Sequence, residues 1–585
     1  MAGYLPLFDS SAHNKRRAHF FLPILGFSAV TFILCVLLFR VGTQQQFYPP
    51  TAAAVVTVSD TNTTSISDVT TISGDEETRL RELQAIVAST DGKYLTRDWQ
   101  LSLGWNNMRY IIETGINMAA ITNRTLVLPS FLYARGCQYD YMVCADYAQL
   151  VNRVDAVHND EWKDLGDEKL GYRIPIDIML NITHLRTRHP VITVAEFLEL
   201  HNQSTDLEHT DGYWGRYDYN SRPNRFTGKT PSYTVLEPDD YQRERKVRVD
   251  RIPQDWLDQH TGNLHATANA TLWERLDEDK GFMDWDRVEE ALGSKDVAEL
   301  EERLERARWH TLHTYSMIIG MDMNKAAVSP VRRVAPLSAL VGLENDVGGR
   351  TEDILHIAGA LLHEHHNAGG MDFTSREALD RSGTVALFDM QRRSEVMRLA
   401  DKLVQRMYEV TGGRLWMAAH IRRGDFIRYG WVMEQTPEEH IARVKRHLAI
   451  GRSVVEQLRE SGAPQTFDVP GDVQPDLDMI VRPAPLEDGP FYVGTDESDP
   501  KVLDMFRREG AVLFDDLLTI EDRRTFALES GLNWALMLTD VRAVVSQVVM
   551  AKSAYFYGHA MSSVPGGVMN LRAAFGKDPR TWLID

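Results

Sequence analysis

The last third of the chain alternates short apolar runs with amphipathic stretches, the pattern of strands and helices that alternate in an α/β sheet. The apolar runs that predict strands are 415–421, 491–494, 511–514 and 554–558. The stretches with helical spacing are 384–411, 437–461, 500–509 and 532–551. This order predicts βαβ units and a parallel sheet.

The preceding part of the chain alternates less clearly. A loop with Gly104, Asn106 and Asn107 leads into a helical pattern and then into a strand at 125–129. Another strand is expected at 354–359, and the charged pattern of 289–309 predicts a solvated surface helix. The remainder of 151–310 is polar and acidic and does not define its elements.

The N-terminal part predicts a membrane anchor and a tether. Residues 20–39 contain no charge and are long enough for one transmembrane helix, although a cleaved signal peptide is the alternative. Three cations at 15–17 place residues 1–19 in the cytosol and the rest in the lumen by the positive-inside rule. Residues 40–90 are rich in Thr and Ser and predict an extended lumenal stem.

Composition and cysteine spacing limit the partners and the compartment. The formal net charge of -19 argues against nucleic acid as the main partner, although a local basic pocket can still bind a nucleotide. In an oxidising compartment Cys137 and Cys144 would form a disulfide, and two free buried thiols are the alternative. The candidate N-glycosylation sites, all after the predicted anchor, are Asn62, Asn123, Asn181, Asn202 and Asn269.

The sequence HIRRGDF, residues 420–426, follows the predicted strand 415–421. Arg422 and Arg423 would suit a phosphate, because guanidinium donors match phosphate oxygens in bidentate fashion. Surface ion pairs, for example with Asp425, are the alternative. Ser562 and Ser563 follow the strand at 554–558, where they suit a phosphate or simply cap a helix.

Two patterns suggest metal binding. The histidines of 363–366 lack a placed third ligand and fit a surface cluster better. Two D-x-D sequences, Asp284–Asp286 and Asp476–Asp478, match the metal-binding motif of GT-A glycosyltransferases, but neither follows an apolar strand. We therefore expect no metal site.

Three blocks in this order resemble the GDP-fucose-dependent O-fucosyltransferase superfamily, which includes the protein O-fucosyltransferases. They are G-W-N-N-M-R with N-R-T-L-V-L-P (104–129), H-I-R-R-G-D-F (420–426), and F-Y-V-G-T-D-E (491–497) with S-A-Y-F-Y-G-H-A-M-S-S (553–563). The resemblance implies a GT-B-like α/β fold with two Rossmann-like domains and a cleft between them. These would be an N-terminal domain with insertions (91–400) and a C-terminal nucleotide-binding domain (401–585), after the anchor and stem.

The resemblance also implies the roles of individual residues. Arg422 would be catalytic, clamping the pyrophosphate as GDP departs, and Asp425 would support it. The residues implied in donor binding are Gly104, Asn106, Asn107, His420, Arg422, Arg423, Asp496, Ser562 and Ser563. The chain departs from the family pattern at Leu103, where some members have a glutamate base close by, and at Ser546, where many have an acid.

The implied function is inverting transfer of fucose from GDP-fucose to a hydroxyl of a protein or glycan acceptor, without a metal cofactor. The expected location is the Golgi membrane as a single-pass type II protein, with the endoplasmic reticulum as the alternative. Two other hypotheses stay open. One is a GT-B or GT-A glycosyltransferase that uses another sugar nucleotide, and the other is a non-catalytic Golgi binding protein with this fold.

Overall fold

Two parallel sheets organise the computed structural model, which describes residues 74–99, 101, 103–152, 170–237, 246–258, 266–277, 281–316, 318–319, 324–358, 371–432, 434–530 and 533–585. All of them belong to one structural unit, Ile72–Asp585. The predicted tail, anchor, Asn62 and the 363–366 histidines lie outside the described residues. Within the ranges given, no helix is both long and apolar enough to cross a bilayer.

The first sheet has five parallel strands in the order β3-β2-β1-β5-β4. Their bounds are β1 Tyr94–Arg97, β2 Thr125–Leu128, β3 Val191–Thr193, β4 Tyr233–Leu236 and β5 Ile354–Ile357. Helix α1 is Gly74–Ala88 and helix α2 is Trp105–Ile121. Helix α2 connects β1 to β2, so its N-terminus lies at the carboxyl edge of this sheet.

The second sheet also has five parallel strands, in the order β8-β7-β6-β9-β10. Their bounds are β6 Met417–Ile421, β7 Phe491–Thr495, β8 Ala511–Leu513, β9 Tyr555–Gly558 and β10 Trp582–Ile584. The chain winds from β6 outward to β8 and then crosses back to β9. The strand order therefore reverses between β6 and β9, and such a switch point is where open α/β sheets bind ligands.

Local sequence explains the central elements of this sheet. All five residues of β6 are buried, since helices cover both faces of a parallel sheet. Helix α4, Pro437–Ser461, follows it. This helix begins with a capping box between Thr436 and Glu439, has proline in its first turn, and ends at Gly462 in the left-handed conformation.

Helices α3, Ser394–Val410, and α5, Thr539–Lys552, pack against each other, α5 also packs on β6 and β7, and helix α6, Val564–Ala574, follows β9. One apolar cluster contains Leu95 of β1, Leu403 of α3 and Ala418 of β6, so a single core reaches both sheets. The alternation therefore correctly predicted an α/β fold with parallel sheets, while the division into two domains at residue 400 stays a prediction.

The remaining described elements lie outside the two sheets. The strands are Phe131–Ala134, Gln149–Asn152, Leu170–Pro175, Val247–Val249, Met283–Asp284, Trp309–Tyr315, Ile318–Ile319, Asn324–Lys325, Pro330–Pro336 and Leu340–Gly342. The helices of seven or more residues are Val194–Leu200, Ala266–Arg275, Trp285–Leu292, Val297–Arg306, Arg376–Thr384, Pro500–Arg508 and Ile520–Ser530.

Three predicted boundaries need correction. The predicted stem cannot extend to residue 90, because Leu80, Leu83 and Val87 of helix α1 are buried in an apolar cluster with strands of the first sheet. The predicted helix 289–309 is two helices, because Gly293 ends the first one in the left-handed conformation. The predicted helix 384–411 is also interrupted, and α3 begins only at residue 394.

Candidate functional site

The carboxyl edge of the second sheet brings together polar residues from three strand ends. His420 lies at the end of β6, with Arg422 just after it. Asp496 follows β7, and Ser562 lies in the turn between β9 and α6. Since β6 and β9 flank the switch point, the sequence blocks HIRRGDF and HAMSS meet there. The contacts among these residues define the candidate site.

His420 is a buried link between the strands. Its Nδ1 lies 3.1 Å from the Gly494 carbonyl oxygen, and its Nε2 lies 3.1 Å from Ser562 Oγ. A carbonyl can only accept, so Nδ1 carries the proton and Nε2 accepts from the Ser562 hydroxyl. Burial, together with the charge of Arg422, lowers the pKa of His420 to about 3. The imidazole is therefore neutral at physiological pH.

The Ser562 hydroxyl is already engaged. Its proton points to His420 Nε2, and its oxygen accepts from the backbone N–H of Val564 at 3.3 Å. Its predicted role in holding a phosphate would require this hydroxyl to turn away from His420. Ser563 is the N-cap residue that precedes helix α6, and its side chain makes no capping hydrogen bond. A helix N-terminus offers backbone N–H groups to an anion, and α6 is 11 residues long.

Asp496 organises the two arginines. Its Oδ2 lies 3.0 Å from Arg422 Nη1, and its Oδ1 accepts from the backbone N–H of Arg423 at 2.8 Å. A Cβ on Gly424 would lie 3.0 Å from Asp496 Cγ and closer still to its Oδ2. Glycine at 424 therefore lets the loop approach this carboxylate.

The two arginines differ in exposure. The Arg422 side chain is 20% exposed, and its guanidinium lies 5.2 Å from the ring centre of Phe426. The Arg423 side chain is 4% exposed, with Nε 3.8 Å from Glu497 Oε2. Only Arg422 can reach a ligand without rearrangement, while Arg423 supports the loop from beneath. The side chain of Asp425 lies outside the described residues.

The first sequence block meets this edge through helix α2. Gly104 precedes the helix in extended conformation and accepts from the backbone N–H groups of Asn107 and Met108. Asn106 Oδ1 accepts from Nε2 of Gln547 on α5. The hydroxyl of Tyr110 on α2 lies 3.5 Å from the carbonyl oxygen of Ser563. The N-termini of α2 and α6 are therefore neighbours.

Several residues in this region were missed by the sequence analysis. Arg109, Glu113, Arg392 and Gln547 are buried between α2, α5 and the segment before α3. Arg109 ends the G-W-N-N-M-R block, which was a usable signal. Burial raises the pKa of Glu113 to about 7, although the charges of Arg109 and Arg392 oppose the rise. Burial lowers the pKa of Arg392 to about 9.

The family model of the GDP-fucose protein O-fucosyltransferases matches residues 101–575, most of the chain. The chain belongs to this family. The resemblance seen in the three sequence blocks is thus confirmed, and the family is one of GDP-fucose-dependent fucosyltransferases. None of the curated protein sequences matches the chain.

Solved structures of fucosyltransferases are similar at low identity. A crystal structure of POFUT1 in complex with GDP-fucose shares 12% identity over 84% of this chain and 97% of its own, with a TM-score of 0.30. A structure of NodZ alpha-1,6-fucosyltransferase soaked with GDP-fucose shares 10% identity over 82% of this chain and 92% of its own, with a TM-score of 0.28. At such TM-scores the likeness supports no comparison of individual residues.

Other features of this O-fucosyltransferase family member lie away from the site. Among the described residues no group of three or more His, Cys, Asp or Glu side chains could hold a metal ion. The D-x-D carboxylates lie near cations: Asp284 near Arg333, and Asp476 close to Lys577.

The cysteine and sequon predictions can also be placed. Cys137 and Cys144 are joined by a disulfide. Asn123 and Asn202 are exposed and lie in left-handed turns. Asn181 caps a short helix, and Asn269 Oδ1 accepts from the indole N–H of Trp309 at 2.9 Å. Glycosylation at these positions stays a prediction.

Proposed function

We propose that this chain transfers fucose from GDP-fucose to a hydroxyl of a protein or glycan acceptor, with inversion at the sugar. The observation that carries the proposal is the position of Arg422. It lies at the end of the central strand, at the switch point of an all-parallel sheet, in a chain of the GDP-fucose family. Ligands of open α/β sheets bind at that place.

The chemistry of fucosyl transfer fits these residues. The transition state resembles an oxocarbenium ion, and negative charge builds on the leaving pyrophosphate. Arg422 donates hydrogen bonds to that charge, and the N-termini of α2 and α6 add backbone N–H groups. The same groups do the work that a metal does in other glycosyltransferases, so we propose a metal-independent reaction. The acceptor hydroxyl gives up its proton to a base as it attacks the sugar, and GDP leaves.

We further propose a type II topology in the Golgi membrane, with the endoplasmic reticulum as the alternative. The apolar segment 20–39, its preceding cations and the sequons after it support this topology. Extraction of the full chain from cell membranes by detergent but not by carbonate at high pH tests the anchor. Recovery in the carbonate supernatant would refute it.

The decisive experiment replaces Arg422 by Ala. The expected loss in kcat is about 100- to 1000-fold, as for removal of one preorganised donor to a developing oxyanion. Arg507→Ala is the matched control, because Arg507 is a surface arginine paired with Asp504 and Asp516. GDP release from GDP-fucose measures the activity, with and without EDTA. Full activity of Arg422→Ala would refute its role, and inhibition by EDTA would refute metal independence.

The two alternative functions are tested by donor binding. A bound donor stabilises the folded chain by RT ln(1 + [L]/Kd), and this stabilisation raises Tm in a thermal-shift panel of nucleotide sugars. We expect GDP-fucose to give the largest shift. A larger shift with another nucleotide sugar would identify a different glycosyltransferase. Binding of GDP-fucose without hydrolysis or transfer to any acceptor would favour the non-catalytic alternative.

A further inference from the structure

A glutamine in the apolar helix α5 touches both helix N-termini of the candidate site. Gln547 is fully buried. Its Nε2 donates to Oδ1 of Asn106, in the first turn of α2. On the other side it lies against α6, where a Cβ on Gly567 would be 3.0–3.2 Å from its amide atoms. Glycine at 567 therefore allows the Gln547 amide to lie against the α6 backbone.

Arg392 determines which way the Gln547 amide points. Its Nη2 donates to Gln547 Oε1 at 2.9 Å. Because Oε1 accepts from Arg392, the NH₂ group faces Asn106. Arg392 is 9% exposed and lies close enough to Arg109 and Glu113 for their charges to shift its pKa in opposite directions.

Glu113 compensates the buried cations. Its Oε1 lies 3.1 Å from Arg109 Nη1. A buried cation is costly when no opposite charge lies near it. The charge of Glu113 therefore stabilises Arg392 in its buried position. Hydrogen bonds connect Arg392 through Gln547 to Asn106, and the charge of Glu113 acts on Arg392 nearby. The hydrogen bond between Arg392 and Gln547 is buried and that between Gln547 and Asn106 is partly buried, so solvent competes little with the first.

A glutamate in α5 could also accept the hydrogen bond from Arg392. That hydrogen bond alone therefore does not explain a glutamine at 547. The neighbouring residues of α5 are apolar and buried, from Val544 to Ala551 apart from Ser546 and Gln547 itself. A buried amide in such surroundings is stable only when both of its ends are bonded. Here the second end bonds the first turn of α2. That turn and the start of α6 are the two helix N-termini at the site.

We propose that Gln547 is a positioning residue of the donor site, which fixes the N-terminus of α2 relative to that of α6 so that both face the pyrophosphate of GDP-fucose. Arg392 orients its amide. The inference rests on the proposed function. It deepens that function by naming a residue that contacts neither donor nor acceptor.

A double-mutant cycle tests the proposal in the full chain, with Asn106→Ala, Gln547→Leu and the double variant. Gln547→Leu should raise KM for GDP-fucose about five- to tenfold, the factor for one lost hydrogen bond, with kcat within about threefold. In the Asn106→Ala background it should change KM no further, because it acts through Asn106. Independent, multiplying effects on KM would overturn the proposal.

Hydrogen exchange gives a readout that needs no donor. Gln547→Leu should speed amide exchange in residues 103–110 at least tenfold in the ligand-free chain, while exchange in α4 stays unchanged. Unchanged exchange in 103–110 would overturn the proposal, whatever the activity. Lack of GDP-fucose binding by the wild-type chain would instead refute the proposed function, and the exchange result would still decide whether Gln547 holds α2.

Gly567→Ala is the second variant, should Gln547→Leu fail to fold. The new methyl group presses on the Gln547 amide without removing a hydrogen-bonding group. Alanine favours a helix over glycine, and this gain offsets the cost of the tight contact in Tm. We expect KM for GDP-fucose to rise two- to threefold with Tm unchanged. A wild-type KM would count against the proposal. Gly349→Ala, where a Cβ meets nothing within 4 Å, is the matched control.

Discussion

Replacement of Gly424 by Ala should weaken the contacts that the Asp496 carboxylate makes with Arg422 and Arg423. The glycine needs no left-handed backbone, so the new methyl group acts by its volume alone. It would lie 3.0 Å from Asp496 Cγ and closer still to Oδ2, so the carboxylate must move by about 1 Å to reach ordinary contact distance. The Asp496 side chain is 22% exposed and can move toward solvent.

That movement disturbs two bonds at once. Asp496 holds Arg422 Nη1 at 3.0 Å and accepts from the backbone N–H of Arg423 at 2.8 Å. A misplacement of about 1 Å at a reacting centre can cost 100-fold in rate. We therefore expect kcat/KM for GDP-fucose to fall about 100-fold, or about 2.7 kcal/mol. Overpacking should cost about 1–3 kcal/mol of stability.

The assay is steady-state GDP release at varied GDP-fucose, together with urea unfolding. Gly349→Ala is the control, because it adds the same methyl group in open space. It should keep wild-type kcat/KM. A folded Gly424→Ala enzyme with undiminished kcat/KM would show that Asp496 does not hold Arg422 for catalysis. A loss of stability with normal kinetics would lead to the same conclusion.

Three further predictions concern stability and ligand binding. Serine at both Cys137 and Cys144 should lower the unfolding free energy in urea by about 2–3 kcal/mol, as for a short closed loop; an unchanged midpoint would contradict this. His310 has a pKa lowered by burial to about 4, so its contribution to stability is complete above pH 6.5 and is lost as pH falls from about 6.5 to 4. His310→Phe should remove about 1 kcal/mol per pH unit from that slope, and an unaltered slope would refute the assignment. Ser563→Ala should weaken GDP binding more than Ser562→Ala by calorimetry, because the Ser562 hydroxyl is already bonded to His420, and the reverse order would contradict this.

The second sheet could be predicted closely because its strands are buried on both faces. Continuous apolar runs such as 417–421 and 491–495 leave few other interpretations, and helix 437–461 carries its own start and stop signals. Strand β4 could not be predicted. Three of its four residues are only partly buried, so no period of hydrophobicity marks it.

Part of the candidate site could be predicted because its residues follow strands that the apolar pattern locates. Arg422 and Asp496 follow strands that the pattern had already located, so their place at the sheet edge could be expected. Gln547 and Arg392 carry no motif, and their partners are distant in sequence. The polar Gln547 within an apolar helical run was the one signal in the sequence, and such a residue is often only a satisfied core group.

In the proposed donor site, the charges of the arginine loop make helix N-termini necessary beside the arginines. Arg422 and Arg423 lie next to Asp496 and Glu497, so the charges of these four side chains cancel. That balance lets the buried Arg423 persist, since an uncompensated buried cation would be costly. A pyrophosphate is a dianion, and the two arginines alone cannot neutralise it while Asp496 pairs with Arg422. The remaining stabilisation must come from groups that bring no compensating carboxylate with them. Backbone N–H groups at the starts of α2 and α6 meet that condition, and they act together only if the two helices keep their distance.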